Sequence, residues 1–276
     1  MFLGAGARHA AATIIGAPYD RTSTFRRGSA HGPAAIRWAS QSIETYSPVL
    51  RADLAEAALG DAGDLDLAGL EPEDAVAAVA AGVGAIAGDS IPLLLGGEHT
   101  ITVGAVRAVR GIHRDLAVLQ LDAHTDLRDA YEGQMFSHAT VMKRIVEMVG
   151  AEAVVAAGIR AGTREEFALA RAFAYCGPQL ALPPAAWALL ASRPVYVTID
   201  IDAVDPAEAP GTGNPEPEGL AARDVLSFVR RLGALRVVGL DIVEVAPSFD
   251  PSGRTAVLAA TLIREAVLAL SGPRPA

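Results

Sequence analysis

Val195-Tyr196-Val197-Thr198-Ile199-Asp200-Ile201-Asp202-Ala203-Val204-Asp205-Pro206 is the stretch on which the reading of this sequence turns. Val195 to Ile199 is a short apolar and β-branched run, the kind that a parallel sheet buries on both faces. It stops abruptly at carboxylates. If Asp200 and Asp202 prolong the strand, they share one face at period two. Neighbouring carboxylates repel and raise each other's proton affinity unless a cation lies between them. A calcium loop is the rival reading, but the spaced oxygens, glycine and terminal glutamate of an EF-hand are absent.

Working outward, similar apolar runs recur at Thr13–Gly16, Pro92–Leu95, Leu116–Leu121, Ala153–Ile159 and Arg236–Asp241. Between them lie helical patterns near Pro72–Ala87, Thr100–Arg110, His138–Val149, Arg164–Ala174, Ala222–Leu232 and Thr255–Leu270. This alternation predicts an α/β fold, a central parallel sheet covered by helices on both faces. No proline- or serine-rich linker and no internal repeat divides the chain, so one domain is expected over residues 1–276. Ala10–Ala17 runs straight into Pro18-Tyr19-Asp20-Arg21. It reads as a first buried strand, not a signal peptide. The tail Ser271–Ala276, with two prolines, is expected to fray.

Composition narrows the function classes. The 276 residues are 51% hydrophobic and 20% charged, which excludes a disordered chain or a disulfide scaffold. The apolar stretch near Ala75–Ala87 is Ala-rich and broken by glycines. It is too short to cross about 30 Å of hydrocarbon, so no membrane span is expected. Net charge is −9, from 23 basic and 32 acidic residues, which argues against a nucleic-acid partner and suits a small cationic substrate. The single cysteine, Cys176, cannot form an internal disulfide. It points to a reducing, cytoplasmic setting.

In open α/β sheets ligands sit beyond the carboxyl ends of the strands. Two further strand ends are polar. Leu95-Gly96-Gly97-Glu98-His99 turns sharply and places His99 at the sheet's mouth. Leu121-Asp122-Ala123-His124-Thr125-Asp126 would put Asp122, His124 and Asp126 on one face if it stays extended. Helix capping explains one such aspartate but not both with the histidine. Together His99, Asp122, His124, Asp126, Asp200 and Asp202 offer more anionic donors than one ion needs. Two ions sharing carboxylates would use them all. Oxygen-rich donors without a thiolate favour a hard ion such as manganese, with zinc, cobalt and iron still open.

At this point the sequence resembles the ureohydrolases, the arginase and agmatinase family. The resemblance rests on Gly96-Gly97-Glu98-His99, Asp122-Ala123-His124-Thr125-Asp126, Ser137-His138-Ala139-Thr140, Asp200-Ile201-Asp202-Ala203-Val204-Asp205-Pro206 and Ala209-Pro210-Gly211-Thr212-Gly213. Gly16-Ala17-Pro18-Tyr19-Asp20, Gly158-Ile159-Arg160 and Asp241-Ile242-Val243-Glu244-Val245 add to it. The resemblance implies a three-layer α/β/α, arginase/deacetylase-like fold and two Mn2+ per subunit. By position, His99 and Asp126 would bind one ion, His124 and Asp202 the other, and Asp122 and Asp200 would bridge them. It also implies hydrolysis of a guanidino group to urea and an amine by a metal-bridging hydroxide. Glu244 would pair with the guanidinium, Asp126 would pass a proton to the leaving amine, and His138 would relay protons or contact substrate. A homotrimer or homohexamer is implied as well. The related deacetylase-like enzymes use a single zinc and would not need this full set.

The tail of the substrate is less determined. Arginases typically carry an asparagine two places after the position of Asp126, where this chain has Arg128. With Ile43-Glu44-Thr45-Tyr46-Ser47-Pro48 and Ser137-His138-Ala139-Thr140, the sequence looks closer to the agmatinase branch. Agmatine ends in an amine, which acidic loop residues such as Asp129, Glu132 or Glu216 could meet. N1-aminopropylagmatine satisfies the same logic. Arg128 also admits a carboxylate tail, as in guanidinobutyrate or formiminoglutamate, and arginine itself stays among the alternatives. A non-hydrolytic regulatory protein on the same fold is opposed by the intact ligand set.

Overall fold

The computed structural model describes residues 1–7 and 9–272. Eight parallel strands form the central sheet: β1 (Ala12–Ala17), β4 (Leu59–Asp64), β5 (Ile91–Gly96), β6 (Ala117–Leu121), β7 (Val154–Ala157), β8 (Tyr175–Gly177), β9 (Pro194–Asp200) and β10 (Arg236–Val243). Their order is β4-β1-β5-β10-β9-β6-β7-β8. A small antiparallel pair, β2 (Tyr46–Ser47) and β3 (Ala52–Asp53), stands apart. All six strands expected from apolar runs are in the sheet.

Helices cover both faces, and each face has its own apolar core. On one side α1 (Gly32–Ser40), α6 (Pro184–Ser192), α7 (Ala222–Arg230) and α8 (Arg254–Ser271) bury Ile36, Leu190, Phe228 and Leu262. On the other, α2 (Pro72–Gly84), α3 (Ile101–Ile112), α4 (Val141–Val149) and α5 (Arg164–Ala170) bury Val76, Val106, Ile145 and Ala170. Successive strand residues alternate between the two cores: Leu93 and Leu95 face one and Leu94 the other. That alternation is why the runs are continuously apolar.

Six of the strands and α-helices were not legible as such in the sequence: β2, β3, β4, β8, α1 and α6. Strand β4 reads Leu59-Gly60-Asp61-Ala62-Gly63-Asp64, a poor strand on propensity. It pairs in parallel with β1, and Arg37 of α1 neutralises its Asp61, with Nε and Nη2 each 2.9 Å from a carboxylate oxygen. Strand β8 is a three-residue edge. Helices α1 and α6 carry prolines in their first turns, where the missing N–H costs nothing. The expected tail begins at Ser271, the last residue of α8. Residues 273–276 lie outside the described part. Among the described residues no helix is long and apolar enough to cross a membrane.

Strands β5, β10, β9 and β6 are consecutive neighbours at the middle of the sheet. Their carboxyl ends therefore bring together segments far apart in sequence: His99 after β5, Glu244 after β10, Asp200 and Asp202 at β9, and Asp122 to Asp126 after β6.

Candidate active site

The close approach of these loops begins with a glycine. A Cβ on Gly97 would lie 1.9 Å from the Tyr19 carbonyl oxygen, so no other residue fits there. The chain then places His99 fully buried. Its Nδ1 lies 3.2 Å from Asp122 Oδ2, 3.1 Å from Asp126 Oδ2 and 3.5 Å from Asp200 Oδ2. On the other side, His124 Nδ1 lies 3.0 Å from Asp202 Oδ2 and 3.7 Å from Asp122 Oδ1. Asp122 thus turns one oxygen toward each imidazole. Two groups of donors compact enough for an ion result, His99–Asp122–Asp126 and Asp122–His124–Asp202, sharing Asp122.

The convergence is not produced by extended strands, which corrects the period-two expectation. Strand β6 ends at Leu121, and Asp126 has a left-handed backbone at φ 49°. Strand β9 ends at Asp200, and Ile201–Ala203 is a 3-10 turn. There the Asp200 side chain accepts the Asp202 N–H at 2.9 Å. Tight turns, held by carboxylates that cap them, aim the side chains instead. Asp126 and Glu244, at φ 62°, both occupy a conformation that costs of order 1–3 kcal/mol for a non-glycine residue.

The electrostatics describe an unresolved charge conflict. Burial works against a charged His99, but the adjacent Asp122 and Asp126 carboxylates outweigh it and raise its pKa well above the ordinary value. Burial also lowers the His124 pKa, yet Asp202 and Asp122 push it up to about 12. Burial and Asp122 lift Asp126 to about 6. Burial, with Asp202, Asp122 and Glu244 adding repulsion, raises Asp200 well above the carboxylate range. Asp122 moves the other way, because His124 and His99 outweigh its burial.

The buried His99 Nδ1 faces three carboxylates within 3.5 Å yet makes no aligned hydrogen bond. An imidazole nitrogen so placed among oxygen donors fits a divalent ion. His99 Nε2 has an outer partner in Thr198 Oγ1 at 2.9 Å, whereas the nearest carboxylate oxygen to His124 Nε2, Glu216 Oε1, lies 3.7 Å away.

A cavity of about 480 Å³ opens above these residues, lined also by Phe25, Arg128, Tyr131, His138, Glu166, Glu216 and Glu244. Glu244 is buried, not a surface residue. Its Oε1 accepts the His99 N–H at 2.7 Å. Burial and Glu98 raise its pKa well above the usual range. His138 opens a 3-10 turn behind the cap residue Ser137. Its Nδ1 is 3.4 Å from Thr22 Oγ1 and 3.3 Å from Ser137 Oγ. Burial and the neighbouring His124 and His99 lower it to about 4. Of the acidic loop residues, Glu216 lines the cavity, whereas Asp129 pairs with Arg144 at 3.0 Å and Glu132 lies on an exposed turn.

Sequence reasoning gave no role to Glu98, Asp241 or Arg160. Glu98 is fully buried and accepts hydrogen bonds from Thr22 N, Thr22 Oγ1 and Ser23 Oγ at 2.8, 2.7 and 3.0 Å, fixing the loop under Phe25. Asp241 receives the Tyr196 hydroxyl at 2.7 Å beneath the site. Arg160 spends its guanidinium on backbone carbonyls. A charged residue directly after an apolar run was the available signal for Asp241 and Arg160; nothing local marks Glu98 as buried.

The sequence profile of the Arginase family matches residues 10–269. The chain belongs to the arginase family. It is a ureohydrolase, an enzyme of carbon–nitrogen bonds in linear amidines. It is 40% identical over 267 residues to an agmatinase of Halalkalibacterium halodurans, covering 93% of this chain and 91% of that one. It is 41% identical over 265 residues to an agmatinase of Bacillus cereus, covering 92% and 90%. The crystal structure of the agmatine ureohydrolase of Thermoplasma volcanium superposes with a TM-score of 0.87 at 35% identity, over 97% of this chain and 93% of that one. The arginase fold expected from the sequence is the fold observed.

Proposed function

We propose that this ureohydrolase hydrolyses agmatine to urea and putrescine with two manganese ions. The observation that carries the reading is the shared Asp122, facing His99 with one oxygen and His124 with the other, on the floor of a cavity that also contains Glu244. The agmatinase relatives at about 40% identity support the choice of substrate. His99 and Asp126 would hold one ion and His124 and Asp202 the other, with Asp122 and Asp200 between them. Bound there, such a pair supplies a water acidified toward neutral pH.

The remaining work falls to the chain. Glu244 binds the planar guanidinium through charge-assisted hydrogen bonds. Its Oε1 is already held by the His99 N–H, so its position is fixed before substrate arrives. A cation beside it reverses the repulsion that Glu98 exerts. The guanidinium is resonance-stabilised, so orientation against the nucleophile matters more than polarisation alone. Asp126, on the cavity wall beside His99, accepts a proton from the attacking water and returns it to the leaving amine. His138, held near 4 and therefore neutral at physiological pH, contacts substrate or relays protons, with Nδ1 toward the Thr22 and Ser137 hydroxyls. The reading extends to one ureohydrolase domain, assembled as a homotrimer or homohexamer in the cytoplasm.

The experiment is urea release from agmatine, N1-aminopropylagmatine, arginine and guanidinobutyrate by the manganese-reconstituted protein, with ammonia and formamide release from formiminoglutamate in parallel. Agmatine is expected to have the highest kcat/KM. Preference for arginine or for a guanidino acid would sink the assignment.

A further inference from the structure

We infer that Glu216 is the carboxylate that receives the cationic tail of the substrate and so determines its class. The inference rests on the agmatine reading and deepens it.

Three observations converge on this residue. First, Glu216 is a half-buried loop residue that lines the cavity wall. Its carboxylate has no lysine or arginine within 4 Å among the described residues; its charged neighbour is His124 Nε2 at 3.7 Å, beyond hydrogen-bond reach. Second, its backbone is anchored to the metal-donor loop. Arg160 Nη2 donates to both the Glu216 and the Asp202 carbonyls, each at 2.8 Å, and Arg160 Nε donates to Pro217 O at 2.9 Å. One guanidinium thus holds the Glu216 loop at a fixed offset from Asp202. A fixed backbone lowers the ordering cost of presenting the carboxylate to a ligand.

Third, Arg128, the cation on the same wall, is already engaged. Its guanidinium lies over the Tyr131 ring at 4.5 Å, and its Nε is 3.6 Å from Glu166 Oε2. Glu166 is buried and locked by the Leu127 and Thr163 N–H groups at 3.0 and 2.8 Å. Arg128 thus already has a carboxylate facing it, whereas His124 must be neutral to act as a metal ligand and would leave Glu216 without a cation. If two divalent ions balanced the four aspartates, the cavity would keep two unmatched negative charges, Glu244 and Glu216. A guanidinium carrying a distal ammonium matches both. A guanidino acid would match Glu244 and set its carboxylate against Glu216.

The test compares agmatine with n-pentylguanidine, whose terminal methyl replaces the ammonium, on wild type, Glu216→Gln and Glu216→Lys. The ratio of kcat/KM between the two substrates is expected to fall about 10- to 100-fold in Glu216→Gln, through KM. Glu216→Lys is expected to invert it and to raise guanidinobutyrate above agmatine. Manganese affinity is titrated in parallel. An unchanged ratio in Glu216→Gln overturns the inference while leaving the agmatine reading intact. An equal loss on both substrates accompanied by weaker manganese binding also overturns it, assigning Glu216 to the orientation of His124. A wild type that turns over pentylguanidine or guanidinobutyrate in preference to agmatine overturns both readings.

Discussion

The Nε2 of His99 lies 2.9 Å from the Thr198 hydroxyl, while Nδ1, across the ring, faces Asp122 and Asp126 at 3.2 and 3.1 Å. A partner on one ring nitrogen settles which nitrogen is left as a ligand. Thr198→Val keeps the shape and removes that partner. Manganese affinity is expected to fall about 10- to 100-fold, read by calorimetric titration. A wild-type dissociation constant in the variant would remove Thr198 from the site's design.

Asp122 is the one residue common to both donor groups. In Asp122→Asn, bound manganese is expected to drop below one ion per chain and urea release by at least about a thousandfold, the scale on which metal chemistry contributes. Metal analysis after gel filtration, beside a urea assay, checks both. Retention of two ions would contradict the shared role.

Metal uptake should expel protons. His124 is held up at about 12 because Asp202 and Asp122 outweigh burial, so it carries a proton at neutral pH in the metal-free protein. A ligand imidazole must be neutral. Affinity therefore rises with pH, and the binding enthalpy should vary with the ionisation enthalpy of the buffer. Identical enthalpies in phosphate and Tris at one pH would show that no proton leaves.

Away from the site, Glu265 of α8 is fully buried. It accepts from Arg230 of α7 at 2.6 Å, from Arg264 at 2.6 Å and from Ser47 at 2.9 Å. Burial raises its pKa, but the Arg230 and Arg264 hydrogen bonds bring it below the usual 4.5. A lowered carboxylate pKa stabilises the fold above the unfolded value, and this contribution is lost as pH falls through the native one. Glu265→Gln should cost about 2–4 kcal/mol at pH 7, because it strands two arginine partners. The deficit should shrink in acid. Urea unfolding at pH 7 and pH 4 measures it, and equal deficits at both would refute the linkage.

The alternation of buried strands and amphipathic helices was legible because a sheet covered on both faces demands continuous apolar runs such as Val195–Ile199 and Leu116–Leu121. The candidate site was legible for a related reason: Asp200 or Asp122 directly after such a run is costly unless compensated. The edge strand Leu59–Asp64 was not, since its buried Asp61 carboxylate is matched by Arg37, 24 residues earlier in the chain.

By itself the sequence marked the aspartates and histidines that gather at the sheet's rim, because burial of charge is a local contradiction that residue order exposes. Only the tertiary structure decided how they meet. The β5-β10-β9-β6 adjacency brings together loops from four parts of the chain. A capped turn at Asp200 and left-handed backbones at Asp126 and Glu244, not strand periodicity, aim them. The tertiary structure also decided that Arg128 faces Glu166 while Glu216 faces His124. Whether a charge is free depends on partners tens of residues distant, and no local pattern encodes that distance.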